Sequence, residues 1–284
     1  MVKIKKATAL ALAVLMIATV MATTASASGY TFPSGSTPVN VTLDGKPVLE
    51  GQAAIINSVT YVPVRGFAEL LGADKISWNA KTRTATVTKG GVNIYLTSGA
   101  LYVGANGRYF FTVEKILNIN DRLFVPVRAI AEALSTQVDW DAKTRTVVLT
   151  STKKTIVSGD QFYNSNDLYW LSRIINAEAS GESLVGMIAV GNVVLNRKAS
   201  SQYPNTVYGV IFDRKGGTQF SPVSMGTIYR TPSEQSIIAA KICLDGYSVD
   251  TGILFFMNPR IATSNWISKN RPFAFSIGRH DFYY

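Results

Sequence analysis

Tyr61-Val-Pro-Val-Arg65 recurs as Phe124-Val-Pro-Val-Arg128, and Trp78-Asn-Ala-Lys-Thr-Arg-Thr84 recurs as Trp140-Asp-Ala-Lys-Thr-Arg-Thr146. Two segments repeated in the same order read as a tandem duplication, each copy being one supersecondary unit. In both copies a β-branched or aromatic strand stops at Pro and a helix of about two turns follows, Gly66 to Leu71 or Ala129 to Leu134. A strand ending in Trp comes next, then a polar turn, then a strand such as Thr84–Thr88 or Thr146–Thr150. Leu43-Asp-Gly-Lys46 and Gly104-Ala-Asn-Gly107 read as hairpin turns, because Gly and Asn accept positive φ. Trp78 and Trp140 are expected to pack into the core at their strand ends, with exposed sugar stacking as the alternative. The first half is thus expected to be a β-rich α+β module.

Towards the N-terminus, Lys3, Lys5 and Lys6 precede one apolar run, Ala7 to Ala22, which closes on Ala25-Ser26-Ala27. A basic flank, an apolar stretch and small residues at the A-x-A positions make residues 1–27 a signal peptide, so an exported chain, secreted or at the surface, is expected. No later run reaches the ~18 apolar residues of a spanning helix, so no transmembrane anchor is expected after cleavage.

Towards the C-terminus, residues 151–166 are rich in Thr, Lys, Ser, Gly, Asp and Asn and read as a linker of low cohesion. Beyond it the period changes. Leu168, Leu171, Ile174 and Ile175 fall at helical spacing, Leu184 to Leu195 mark a second apolar helix ending near Asn196-Arg197, and Gln235 to Leu244 a third, closed by Asp245-Gly246. Residues 253–284 are aromatic and punctuated by Gly and Pro, which suits short strands. The organisation is therefore 28–150 for the duplicated module and 167–284 for a helix-dominated α+β domain.

Composition excludes several chemistries. The 284-residue chain is 47% hydrophobic and carries one Cys and one His. No disulfide can form within it, and a catalytic zinc site built on several imidazoles is excluded, so no cofactor or metal is expected. The chain has a formal charge of +10. Residues 28–155 hold 14 basic and 9 acidic side chains, against 11 and 9 in residues 156–284. That excess suits anionic wall polymers better than nucleic acid, since no basic cluster with interleaved aromatics exists.

The acids of the second domain are few, and Glu178 and Glu182 flank the junction of its first two helices. Glu178 ends an apolar helix, where desolvation would let a carboxyl keep its proton near neutral pH, as a general acid must. Glu182, just ahead of Ser183, is expected to cap or complement the next helix. Cys243 sits at a helix C-terminus, where nothing lowers a thiol pKa, so a Cys–His peptidase is the weaker enzymatic reading and an inert buried thiol the stronger. A non-enzymatic wall-binding protein is the other alternative.

The repeated VPVR and W-x-AKTRT segments resemble the copper amine oxidase N-terminal-like, or stalk, domain over about residues 37–150. That resemblance implies a surface-binding or spacing module. Copper does not carry over, because residues 1–155 contain neither His nor Cys. Residues 168–283 resemble the SleB/CwlJ family of cell-wall hydrolases, the spore-cortex-lytic enzymes. The resemblance rests on Leu168–Glu182, Gly186–Arg197, Tyr203–Phe212, Gln219–Val223, Ile253–Pro259 and Ile277–Tyr283. It implies a fold similar to the lysozyme-like lytic transglycosylases, with Glu178 matching the family's catalytic glutamate. The substrate would be the MurNAc–GlcNAc strand of peptidoglycan and the product a 1,6-anhydro sugar.

One carboxyl suffices for such a cleavage, whereas most glycoside hydrolases use two. For a hydrolase the second acid would be sought first in Glu182 and Asp245. Tyr208, Gln219, Ser221 and Asn258 suit sugar hydroxyls and N-acetyl amides, and Phe220, Tyr203 and Trp266 offer stacking faces. Glu182 is also taken as a substrate-binding group. For His280 a structural or substrate hydrogen bond is favoured over a base role. Arg279 stands where the family usually has Asn, and Asp213 to Gly217 form a longer, charged approach to the QFSPV segment.

Overall fold

A computed structural model describes residues 30–152 and 154–284. The signal-peptide assignment to residues 1–27 lies outside the described residues. No helix among the described residues is long and apolar enough to cross a membrane.

Two domains are present, the first β-rich. Its helices α1 (Val64–Leu70) and α2 (Val127–Ala133) begin two residues earlier than the sequence suggests, because Pro63 and Pro126 serve as their N-caps. Proline has no N–H to lose at such a strand-to-helix joint, and it blocks continuation of the strand. The two strands leading into these helices, Val59–Pro63 and Arg122–Pro126, pair with each other antiparallel at the centre of a five-stranded sheet. Val62 faces Val125, Tyr61 faces Pro126 and Pro63 faces Phe124. The repeated segments therefore meet across a local two-fold, and one core containing Phe67, Leu96, Ile130 and Leu149 serves both halves.

A second five-stranded sheet contains Thr84–Lys89 at the side of its edge strand, Lys75–Asn79. A four-stranded sheet likewise has Thr136–Asp141 at its edge, beside Thr146–Ser151, which pairs parallel with Asn40–Leu43. Tight turns close the Asn40–Leu43/Lys46–Val48 and Tyr102–Ala105/Arg108–Phe111 hairpins, with Asp44, Gly45, Asn106 and Gly107 at positive φ. The second turn is centred one residue beyond its expected position.

Trp78 and Trp140 do not enter the core. They are 49% and 45% exposed. Each stands opposite a buried residue, Ala85 and Val147, and so points to the core face. Both strands are sheet edges, however, and nothing covers the outer half of the indole there.

The 151–166 stretch carries more structure than its composition suggests. It contains α3 (Gly159–Phe162), and it is tied to the first domain by Gly159 N donating to Asn106 O at 2.8 Å and Asn106 Nδ2 donating to Ile156 O at 3.0 Å. The second domain is built on α4 (Ser165–Ala179), α5 (Leu184–Ala199) and α8 (Glu234–Leu244), which pack on one another. Shorter helices α6 (Val207–Ile211), α7 (Ser221–Ser224) and α9 (Trp266–Asn270) lie in the connections. Strands Phe255–Met257, His280–Tyr283 and Phe273–Ile277 form a three-stranded antiparallel sheet in that order. Helix α5 is apolar nearly all round because it runs through the middle of the domain.

The domains are docked. Leu101, Tyr102, Tyr109 and Phe111 of the first domain pack against the core of the second, and the rings of Phe111 and Tyr247 lie 4.1 Å apart. Arg108 forms an ion pair with Asp245 at the end of α8, and the Tyr163 hydroxyl donates to the same carboxylate. Lys241 Nζ donates to Gly107 O at 2.9 Å.

Candidate active site

Helix α4 starts at Asn164, whose side chain accepts from Asn166 N and Asp167 N, and it runs with Leu171, Ile174 and Ile175 turned inward. That register leaves Glu178, one residue before the helix end, on the wall of an open cleft of about 1440 Å³. The Glu178 carboxyl forms no hydrogen bond or ion pair among the described residues. Burial alone pushes its pKa up to about 7. An acid that is half protonated near neutrality can both donate and accept a proton at the working pH.

Glu182 lines the same cleft and is organised differently. It does not cap α5. Ser183 does, accepting from Gly186 N at 3.3 Å. The Glu182 carboxylate instead accepts from Arg279 N at 3.1 Å and Arg279 Nε at 2.6 Å. Burial raises its pKa, but these bonds and the Arg279 charge outweigh that and hold it below the usual carboxylate range. The contact is so close that a Cβ on Gly278, at φ +58°, would lie 1.9 Å from Glu182 Oε2. Only glycine fits there.

Next along the chain, His280 is 6% exposed and its Nδ1 has no partner. Burial, with the Arg279 charge adding to it, lowers its pKa and keeps the imidazole neutral. It rests edge-on against Phe256, centroids 5.4 Å apart.

Two long side chains fix the opposite end of α5 to this wall. Asn196 Nδ2 donates at 2.9 Å to both Asp250 O and Ile253 O, and buried Arg197 donates through Nε to Leu254 O at 2.7 Å. They hold the chain that enters strand Phe255–Met257. Arg197 also reaches Gln219 Oε1 at 3.3 Å, while Gln219 Nε2 donates to Lys215 O and Gly217 O.

The residues singled out in the sequence divide accordingly. Glu178, Glu182, Gln219, Phe220, Ser221, Asn258, Trp266 and His280 all border the cleft. The Gln219 amide is committed to its own loop, and Phe220 is buried beneath the surface, so it offers no free stacking face. Ser221 and Trp266 are exposed to the cleft. Tyr208 does not line it. Its ring stacks on Phe212 at 4.4 Å and meets Trp170 edge-on, because α6 turns that face towards α4. Asp245 is withdrawn into the domain interface by Arg108 and Tyr163 and is no second acid for this site. Cys243 is buried against Gly191 and Ile188, and burial drives its thiol pKa far up. Arg197 and Arg271, both on the cleft, were not marked by the sequence, where they look like ordinary helix-end and loop cations.

Comparison with known proteins agrees with this architecture. Residues 42–157 match the copper amine oxidase N-terminal domain, and residues 181–283 match the Cell Wall Hydrolase family. Among curated proteins, the chain is 38% identical over 120 residues to a spore cortex-lytic enzyme of Bacillus cereus, covering 42% of this chain and 45% of that protein. It is 37% identical over 120 residues to the spore cortex-lytic enzyme of Bacillus subtilis, covering 42% and 38%. The chain thus spans less than half the length of these relatives. The catalytic domain of a germination-specific lytic transglycosylase, SleB of Bacillus anthracis, is 36% identical, with 45% of this chain and 100% of that chain covered and a TM-score of 0.40. The second domain belongs to the cell wall hydrolase family, SleB and CwlJ proteins among its relatives, and it follows a copper amine oxidase N-terminal domain.

Proposed function

We propose that the second domain cleaves the glycan strands of peptidoglycan as a lytic transglycosylase, with Glu178 as its single acid and base. One observation carries the reading: a partnerless carboxyl with a pKa near 7 stands on the wall of a long cleft. Protonated Glu178 gives its proton to the glycosidic oxygen as the MurNAc C1–O bond breaks. The resulting carboxylate then takes the proton of the C6 hydroxyl as that oxygen bonds to C1. The sugar closes to a 1,6-anhydro ring, no water is consumed, and Glu178 ends as it began.

The other acids on the cleft support this economy. Glu182 is neutralised by Arg279, and Asp213 is engaged by Lys215 N in its own loop turn. Ser221, Asn258, Trp266 and the neutral His280 are the groups best suited to hold sugar hydroxyls and rings. Helix packing around α5 with a small sheet beside the cleft favours a lysozyme-like arrangement. The spore cortex-lytic names of the relatives favour cortex as substrate.

The rest of the chain is read as an exported leader at 1–27, a stalk module at 28–150 formed by tandem duplication, a connecting segment at 151–166 and the enzyme at 167–284. The repeated order of strand, helix and strands supports the duplication. The module's positive excess and its exposed Trp78 and Trp140 favour attachment to anionic wall polymers. Mass spectrometry of fragments released from purified cortex and vegetative wall tests the chemistry. Fragments lacking one water per cut are expected, and reducing ends with water added would overturn the transglycosylase step.

A further inference from the structure

Arg271 follows α9 and leads into strand Phe273–Ile277, on the wall of the cleft. Its guanidinium carbon lies 4.4 Å from the centre of the Phe255 ring and 5.4 Å from that of Trp266. Among the described residues it has no carboxylate partner. Arginine stacked on ring faces keeps its in-plane N–H donors free, in the fork that matches a carboxylate.

A second guanidinium shares the same ring. Arg197 lies 5.1 Å from the Phe255 centre, is bonded only to a carbonyl and an amide oxygen, and also lacks an acid. Burial lowers its pKa, Tyr203 and Asp213 offset part of that, and the Arg271 charge adds a smaller lowering. Two like charges share one phenyl ring and neither forms an ion pair among the described residues, an arrangement that an incoming anion would relieve. Of the cleft acids, Glu182 is spent on Arg279 and Glu178 is uncharged below about pH 7, which leaves Asp213 against Arg197, Lys215 and Arg271. The cleft is therefore cationic, although the second half of the chain is nearly balanced in charge.

We propose that Arg271, braced by Phe255 and Trp266, binds a carboxylate carried by the glycan, so that the cleft selects strands bearing an acid beside the sugar ring stacked on Trp266. This inference rests on the glycan-cleaving reading above and names the charge class of its substrate. The carboxylate is that of the lactyl ether on muramic acid or of the peptide attached to it.

Equilibrium binding to the full-length Glu178→Gln protein, which leaves strands intact, gives the test. The strands are peptide-stripped, with free lactyl carboxylates, or peptide-bearing, and each is compared with its methylamidated form. Binding about tenfold tighter to the charged form of at least one strand type is expected. Adding Arg271→Gln should bring that ratio close to one, and Arg271→Lys, which keeps the charge without the stacked fork, should keep only part of it, which separates charge from geometry. Equal melting temperatures of the two variants guard against misfolding. The strand type that shows the ratio identifies the source of the carboxylate. A ratio below about two with Arg271 present, a ratio that survives Arg271→Gln, or no measurable binding of any strand overturns the proposal. Release of fragments by the unmutated protein is scored separately, so a failure of the lytic reading remains distinct from a failure of the anion site.

Discussion

The end of α4 and the start of α5 each set a glutamate on the same cleft, and the two behave oppositely. Glu178 and Glu182 are both removed from water, so desolvation raises the pKa of each. Arg279 then gives Glu182 two hydrogen bonds and a countercharge, while Glu178 receives none. The comparison teaches that the difference between a carboxyl that keeps its proton and a structural anion here lies in a cation supplied from the last hairpin of the chain, not in the glutamates or their helix ends.

The largest expected effect separates their roles. Glu178→Gln should remove at least ~3 kcal/mol of transition-state stabilisation, a hundredfold or more in the rate of fragment release. Glu182→Gln should cost less than about tenfold on the same assay, and equal losses would collapse the distinction.

The second effect concerns stability and has an unusual sign. Glu178 has a folded pKa of about 7 against 4.5 when exposed, so the fold carries no penalty below the lower value and the full penalty above the higher. Glu178→Gln should therefore be more stable than the unmutated protein by up to ~3 kcal/mol at pH 8, with the gain shrinking to zero as pH falls from 7 to 4.5. Denaturant titration across that range measures it. The rate of the unmutated enzyme should fall as pH rises through about 7, as the proton needed for donation is lost.

Glu182 should show the reverse. Its folded pKa is lowered, so its contribution is present above the exposed value and disappears as pH falls through the folded one. Because Arg279 is half-exposed, about 1–2 kcal/mol is expected for Glu182→Gln near pH 7, and almost nothing in strong acid. Smallest of all, Trp78→Ala and Trp140→Ala should each cost under ~1 kcal/mol in thermal or chemical unfolding, since half of each indole is already in water. A loss typical of a core tryptophan would show that the sheet edges are covered in solution.

The same contrast explains what could be read in advance. Glu178 was legible because a carboxyl at the end of an apolar helix is conspicuous within the helix's own period. Arg279, which decides the fate of Glu182, is nearly a hundred residues away, and no local period reports a contact at that separation. Trp78 and Trp140 were misread for a related reason: alternation tells which face a strand residue takes, but sheet order decides whether that face is covered. Tyr208 lies within a family segment yet turns from the cleft, because α6 packs that side on α4. The starts of α1, α2, α5 and α8 were visible within two residues, whereas the cap of α5 fell to Ser183 and not Glu182, and the docking of the domains depends on Arg108 meeting Asp245 and left no trace in composition.

The antiparallel meeting of Val59–Pro63 with Arg122–Pro126 has a further consequence. Each of these strands closes what would otherwise be an open rim on the other, so an isolated half would present a row of unpaired amide and carbonyl groups to its neighbours. A single repeat carries the complement of its own rim in a second copy of itself. Two such chains should associate head to head across the same axis, with Val62 against its own counterpart. The covalent link between the repeats turns a contact that would depend on concentration into an internal one, and it keeps that rim from recruiting other molecules.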